Sequence, residues 1–207
     1  MRPVGGWWAR VLATVASLVA LAACGSVSPS LSRGDPLHDL ITIDQLVAPD
    51  FTVTSASTHI DAATIAAGDG AIISTLQRDG LQAAARVEYQ RDVNFSTSNG
   101  PIDIVATVER FAGIGGATSA YGANVRWLDS IPGAVPASTG PLGDEAHSIS
   151  VVRATPGGLQ AVEITVVWRV RNLVNVMVAR GRYGGTRLED ALVLCGLQTQ
   201  NESRGSA

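Results

Sequence analysis

The chain has 207 residues, a formal net charge of −3 and 46% hydrophobic residues, which suits one domain with a sizeable core. Its 15 cationic residues are all arginine, which excludes Schiff-base lysine chemistry, a P-loop lysine and a Ser-Lys dyad. No run of basic residues is present, so the sequence lacks the electrostatic pattern of a nucleic-acid-binding protein.

The first 23 residues have the pattern of a secretory signal peptide. Arg2 and Arg10 give the first ten residues a positive charge, and an uncharged, largely apolar run follows over residues 11–23. As a helix this run would reach about 20 Å, whereas the hydrocarbon core of a bilayer is about 30 Å thick. The length therefore predicts a cleaved signal peptide over residues 1–23 rather than a membrane span.

A cysteine lies where cleavage would occur. The segment Leu21-Ala22-Ala23-Cys24 resembles the lipobox of bacterial lipoproteins, whose cysteine is lipidated and becomes the mature N-terminus. The resemblance implies a diacylglyceryl group on Cys24, which would anchor the protein to the extracytoplasmic face of a bacterial membrane. An ordinary signal peptide with an incidental cysteine is the alternative. Both a monoderm outer surface and a periplasmic outer-membrane face stay open, because Gly25 carries no retention signal.

Composition divides the remaining chain into three parts. Serine, glycine and proline are frequent after Cys24, and residues 24–50 are predicted to be a flexible tether. Residues 51–200 carry the periodic apolar patterns of a single folded domain. The polar residues 201–207 are predicted to be a disordered tail.

Hydrophobic periodicity separates helices from strands in the first half of the domain. Asp61 and Asp69 are predicted to cap two short helical segments. Alternating apolar residues predict strands over residues 81–90 and 102–111. An apolar stripe over residues 114–128 then predicts a longer helix, and a proline-rich loop follows it.

The second half is predicted to contain strands over residues 146–154, 161–170 and 173–180, and then a closing helix. The two-residue turn Arg171-Asn172 sets the register of the last two strands. The predicted cross-strand pairs are Trp168 with Asn175, Val166 with Met177, Ile164 with Ala179, Val167 with Val176, Thr165 with Val178, and Glu163 with Arg180. The predicted fold class is therefore α+β, an antiparallel sheet of about five strands with helices packed on one face, in the order α-β-β-α-β-β-β-α.

This half also carries a family resemblance. The segments Leu142-Gly143-Asp144-Glu145-Ala146, Val167-Trp168-Arg169 with Asn172, and Leu188-Glu189-Asp190-Ala191-Leu192 resemble a pattern in uncharacterised secreted proteins and lipoproteins of actinobacteria and Chloroflexi-type bacteria. One departure is the hairpin turn, where the pattern has Gly-Asn and this chain has arginine, which is less favourable at positive φ. The resemblance implies a fold and an extracytoplasmic location, and it implies no activity. The element order is also similar to that of extracellular sensor-like domains of actinobacterial kinases.

Three groups of residues offer chemistry, and each has a structural alternative. Asp144, Glu145 and His147 include three metal-ligand types, yet they also fit a turn that enters a strand. The glycine-rich residues 113–116 precede a helix, as in anion sites, but lack dinucleotide spacing. Cys195 with His147 would be a nucleophile and its base, but Cys195 lies on the apolar stripe of the last helix. We therefore predict no catalytic residue, no metal and no cofactor.

The last two predicted strands are apolar on both faces, unlike strands with one face in water. They are either central strands that are covered on both sides or the wall of an apolar ligand pocket near Val166, Trp168 and Met177.

The predicted function is a membrane-anchored, non-enzymatic envelope lipoprotein that binds an apolar ligand or a protein partner. A structural or accessory lipoprotein without a small-molecule ligand is the alternative. A surface hydrolase is a third hypothesis, although the sequence lacks a Gly-x-Ser-x-Gly elbow and a His-Glu-x-x-His helix.

Overall fold

The computed structural model describes residues 30–46, 48 and 50–205. The predicted signal peptide and Cys24 lie outside these residues, so both stay predictions. Among the residues that the structure describes, no helix has the length and apolar composition that a membrane crossing requires.

Seven strands and four α-helices follow one another in the described part of the chain. In chain order they are β1 (Phe51–Ile60), α1 (Ala62–Ile65), α2 (Gly70–Arg78), β2 (Leu81–Arg91), β3 (Asp103–Phe111), α3 (Ile114–Asp129), β4 (Val135–Ala137), β5 (Glu145–Ala154), β6 (Gln160–Val170), β7 (Leu173–Arg182) and α4 (Leu188–Gly205). Asp61 and Asp69 cap α1 and α2 as predicted, because each carboxylate accepts a hydrogen bond from a backbone N–H of the first turn.

The strands form one antiparallel sheet in the order β1-β2-β3-β7-β6-β5-β4. The predicted α+β class is confirmed, but the five strands and their order are wrong. We missed β1 because its serine and threonine residues do not alternate with apolar ones, and two register shifts interrupt its pairing with β2. We missed β4 because a three-residue strand with Pro136 at its centre has the composition of a loop.

The β6–β7 hairpin has the predicted register at every predicted pair. Arg171 occupies its turn with a φ of 56°, which is unfavourable for a residue with a side chain. Two hydrogen bonds hold this conformation: the Arg171 N–H donates to Asp144 Oδ2 (2.6 Å), and Arg169 Nη1 donates to the Arg171 carbonyl (2.8 Å). These contacts offset the backbone cost of arginine at this position.

Helices cover both faces of the sheet, so the prediction that they pack on one face is wrong. One face packs against α4 and against residues that precede β1, and it includes Val166 and Met177. The other face packs against α2 and α3, and it includes Val167 and Val174. Because β6 and β7 are central strands with cover on both sides, burial alone accounts for their doubly apolar sequence.

Residues 30–46, which we call the N-terminal segment, pack onto the α4 face of the sheet. Leu40 and Ile41 are 2% and 1% exposed. Tyr89 Oη donates to the Ile41 carbonyl (2.8 Å), and Asn201 Nδ2 donates to the Leu40 carbonyl (2.9 Å). The predicted tether is therefore wrong over these residues, because their few apolar side chains complete a core that the composition of the whole stretch concealed.

Helix α4 extends to Gly205, so the predicted disordered tail is wrong over residues 201–205. Asn201 Nδ2 contacts Gln45 Oε1 (3.0 Å), and the Glu202 side chain is buried. These polar residues are ordered because the N-terminal segment covers them, a contact that their own sequence does not reveal.

Candidate functional site

A half-open apolar cavity lies between the N-terminal end of α4 and the segment that leads into β1. Its volume is about 460 Å³, which falls within the range of small-molecule sites. We call it the Phe51 cavity. Its lining residues, drawn from distant parts of the chain, are Leu46, Ala48, Phe51, Arg91, Asn99, Gly100, Pro101, Ile104, Asp190, Val193 and Leu194.

The base of the Phe51 cavity is part of the hydrophobic core, and its rim is in solvent. Ile104 of β3 and Leu194 of α4 are 1% and 5% exposed and belong to the α4-side core. Val193, the neighbouring residue on α4, is 54% exposed. The cavity therefore presents apolar surface that water can reach, and an apolar molecule bound there would remove that surface from water.

Arg91, the last residue of β2, is the cation of this cavity. Its Nη1 donates to the carbonyls of Asn99 (2.9 Å) and Pro101 (3.3 Å), and its guanidinium carbon lies 5.5 Å from the centroid of the Phe51 ring. Its Nη2 lies 3.7 Å from Asp50 Oδ2. Among the described residues, its buried Nε has no hydrogen-bond partner. An oriented guanidinium beside an apolar wall suits a ligand with an apolar body and a negative or acceptor end.

Asp190 is the carboxylate of the lining, and it already has a structural role. Its Oδ2 accepts a hydrogen bond from the backbone N–H of Arg187 (2.8 Å) at the beginning of α4. Such a contact satisfies a free N–H at the helix N-terminus. Apolar residues make up most of the described lining, as is typical of small-molecule binding sites.

The residues that we predicted to line a pocket are instead core residues. Val166, Trp168 and Met177 are each 0% exposed and lie in the α4-side core. The polar atom of the indole is satisfied within the protein, since Trp168 Nε1 donates to Thr199 Oγ1 (3.0 Å). These three residues are not part of the lining of the Phe51 cavity. The candidate site therefore lies in a different part of the sheet from the predicted pocket.

The candidate metal ligands Asp144, Glu145 and His147 are paired with other side chains instead. Arg169 Nη1 lies 2.9 Å from Asp144 Oδ2, and Arg169 Nη2 lies 2.8 Å from Glu145 Oε1. His147 Nε2 lies 2.9 Å from Asp129 Oδ1 of α3. No group of three or more potential ligand side chains is placed to hold a metal ion within the described residues. These side chains stabilise the junction of β5, β6 and α3.

Cys195 and His147 lie on opposite faces of the sheet, so they do not form a nucleophile and base pair. Cys195 belongs to the α4-side core and is 0% exposed, whereas His147 contacts α3. Burial raises the pKa of the Cys195 thiol well above its ordinary value. Cys195 is therefore an unreactive core residue.

The glycine-rich start of α3 lets this helix approach the end of α2 closely. A Cβ atom at Gly116 would overlap the backbone carbonyl oxygen of Asp79, at the end of α2. Gly115, in contrast, has open space around it. The requirement for glycine thus comes from packing of α3 against α2.

The sequence carries no signal that would have identified the Phe51 cavity. Phe51, Arg91 and Val193 lie on separate elements, and each fits its own local pattern as a strand or helix residue. Only the pairing of Phe51 with Arg91 across β1 and β2, and the position of α4 above them, brings them together.

No family model and no curated protein matches this chain. The structure is similar to the extracellular domain of PknH from Mycobacterium tuberculosis, with 10% sequence identity and a TM-score of 0.48 over 80% of this chain and 93% of that one. It is also similar to a putative uncharacterised protein, the Rv0999 ortholog from Mycobacterium smegmatis, with 11% identity and a TM-score of 0.34 over 82% of this chain and 98% of that one.

Proposed function

We propose that this protein is a membrane-anchored, non-enzymatic envelope lipoprotein that binds an apolar ligand in the Phe51 cavity. The observation that carries the proposal is the half-open apolar cavity of about 460 Å³, with Arg91 as its cation. The lipobox-like segment at Cys24 supports the anchor, and the cavity supports the ligand.

The chemistry of the cavity suggests an amphipathic ligand. Its apolar body would contact Phe51, Ile104 and Val193, while a carboxylate or phosphate end would approach Arg91. Burial of apolar area provides the affinity, at about 25 cal/mol per Å², and the guanidinium provides the orientation.

Native mass spectrometry of the full protein, purified from its own membrane, tests the ligand. We expect a bound molecule on the wild type and its loss in Val193→Asp, because the substitution places a charge at the exposed rim without disturbing the core. Val135→Asp is the matched control, since Val135 is 61% exposed on β4 and does not line the cavity. Wild-type protein without any bound molecule would contradict the proposal and favour the accessory role.

The anchor has a separate test. Replacement of the thiol in Cys24→Ala should move the protein from the membrane fraction to the soluble fraction, because the acylation site is lost. Mass spectrometry of the wild type should show the mass of a diacylglyceryl group on the first residue of the mature chain. Unchanged membrane retention of the variant, together with no lipid mass on the wild type, would contradict the anchor.

A further inference from the structure

A second, polar cavity lies at the other end of β2 and β3, away from the Phe51 cavity. Its volume is about 350 Å³. Arg33 of the N-terminal segment, Gln82 at the beginning of β2 and Arg110 at the end of β3 contribute to its lining. We call it the Arg110 pocket. Arginine and glutamine side chains are hydrogen-bond donors, so the lining has a composition that suits an anion.

Some hydrogen-bond donors of the Arg110 pocket have acceptors within the protein, and others have none. Arg110 Nη1 donates to the carbonyls of Arg33 and Gly34, which fixes this side chain against the N-terminal segment. The buried Nε of Arg110 has no partner among the described residues. Nor do the Arg33 and Gln82 side chains make a hydrogen bond or an ion pair with any described residue. Asp39, a buried carboxyl outside the lining, interacts electrostatically with Arg110.

The pocket also lies close to the point where the chain would leave the membrane. Arg171 Nη1 donates to the carbonyl of Ser30 (3.0 Å), so the protein holds the chain from this residue onward. The six peptide units between Cys24 and Ser30 can span at most about 20 Å. Ser32 and Arg33 follow directly and line the pocket. An acyl group on Cys24 would therefore hold the pocket within reach of the lipid headgroups.

We infer that the Arg110 pocket binds the phosphate group of an anionic phospholipid in the membrane that anchors the protein. Arg33, Arg110 and Gln82 would donate to the phosphate oxygens, and guanidinium groups match phosphate geometry in a bidentate manner. This inference rests on the proposed anchor at Cys24. Because β2 and β3 run between the two cavities, the Phe51 cavity would then lie farther from the bilayer than the Arg110 pocket.

An arginine-specific dicarbonyl reagent, followed by peptide mass spectrometry, tests the inference on the full protein. The protein is placed in non-ionic detergent micelles without phospholipid, or in nanodiscs of phosphatidylglycerol, or in the micelles with inorganic phosphate added. We expect phosphatidylglycerol to slow the labelling of Arg33 and Arg110 about tenfold, as an occupied bidentate site would. Labelling of Arg153, an exposed residue on β5 outside the pocket, should be equal in all three samples.

A pocket variant sharpens the test. Gln82→Glu adds a negative charge to the lining at an exposed strand position, so it should abolish the protection of Arg33, while the exposed control Gln200→Glu on α4 should retain it. Protection by inorganic phosphate but not by phosphatidylglycerol would overturn the membrane source of the anion. Equal labelling in every sample, or protection of Arg153 as well, would overturn the pocket. The phosphate sample needs no acyl group, so its result is separate from a failure of the anchor.

Discussion

Asn172 and Ser32, 140 positions apart in the chain, exchange two hydrogen bonds in the protein interior. The Ser32 N–H donates to Asn172 Oδ1 (2.7 Å), and Asn172 Nδ2 donates to the Ser32 carbonyl (3.1 Å) and to the Phe111 carbonyl (2.8 Å). The amide side chain thus pairs with the backbone as a neighbouring strand would. This contact attaches the N-terminal segment to the β6–β7 turn and to the end of β3.

Asn172→Ala should destabilise the protein by roughly 3 kcal/mol, because three hydrogen bonds are lost and buried backbone groups are left unpaired. Guanidinium unfolding of the purified protein measures this change. Gln200→Ala, at an exposed position of α4, is the control and should alter stability by less than about 0.5 kcal/mol. Equal midpoints for the two variants would show that Asn172 does not hold the segment.

Gly115→Ala and Gly116→Ala should have opposite effects, although the residues are neighbours in α3. Alanine at position 115 enters open space and favours the helix, so stability should rise by up to about 1 kcal/mol. Alanine at position 116 would overlap the Asp79 carbonyl oxygen, so α3 must shift and stability should fall. Thermal unfolding of both variants measures the difference, and a stabilising Gly116→Ala would contradict the close contact between α2 and α3.

Stability should fall as the pH rises from about 5 to about 8. Burial raises the pKa of Glu109 to about 7, that of Asp39 to about 6 and that of Glu202 to about 8. Each raised pKa means that the folded state binds the proton more tightly than the unfolded state. This stabilisation is complete below the unfolded pKa and is lost as the pH passes through the folded pKa.

Glu109→Gln tests the largest isolated contribution, because burial alone raises this pKa. The variant should lose about 2 kcal/mol less stability than the wild type between about pH 5 and about pH 8. Guanidinium midpoints at the two pH values measure the difference. Asp92→Asn removes an exposed carboxyl and should keep the wild-type pH dependence. If Glu109→Gln also kept the wild-type pH dependence of stability, Glu109 would not be a protonated core residue.

Cys195 should react with a maleimide only after unfolding, because its thiol is buried and its pKa is raised by burial. Mass spectrometry of native and denatured protein measures the labelling. With Cys24 acylated, we expect no label on the native protein and one on the denatured protein. Ser203→Cys, at an exposed position of the same helix, is the positive control. Rapid native labelling at position 195 would contradict the packed α4 interface.

Local physical chemistry was sufficient to predict much of the fold. The Asp61 and Asp69 caps predicted α1 and α2, and alternation predicted β2, β3 and β5 to β7 near their observed bounds. The register of the β6–β7 hairpin also followed from sequence, because a two-residue turn leaves one alignment of the strands that follow it. Caps, periods and tight turns act between residues that are close in the chain.

Only the tertiary structure decided what covers the sheet and where a ligand could bind. Leu40 and Ile41 lie in a stretch with the composition of a tether, yet Tyr89 and Asn201 hold it in the core. The same holds for the Phe51 cavity and the Arg110 pocket, whose residues come from strands, helices and loops that are distant in sequence. Such contacts leave no periodic pattern in the sequence, because each residue fits the hydrophobic periodicity or the turn composition of its own helix, strand or loop. The sequence by itself therefore determined most of the helices and strands, and the packing determined both candidate sites; the lipid anchor at Cys24 stays a prediction from sequence.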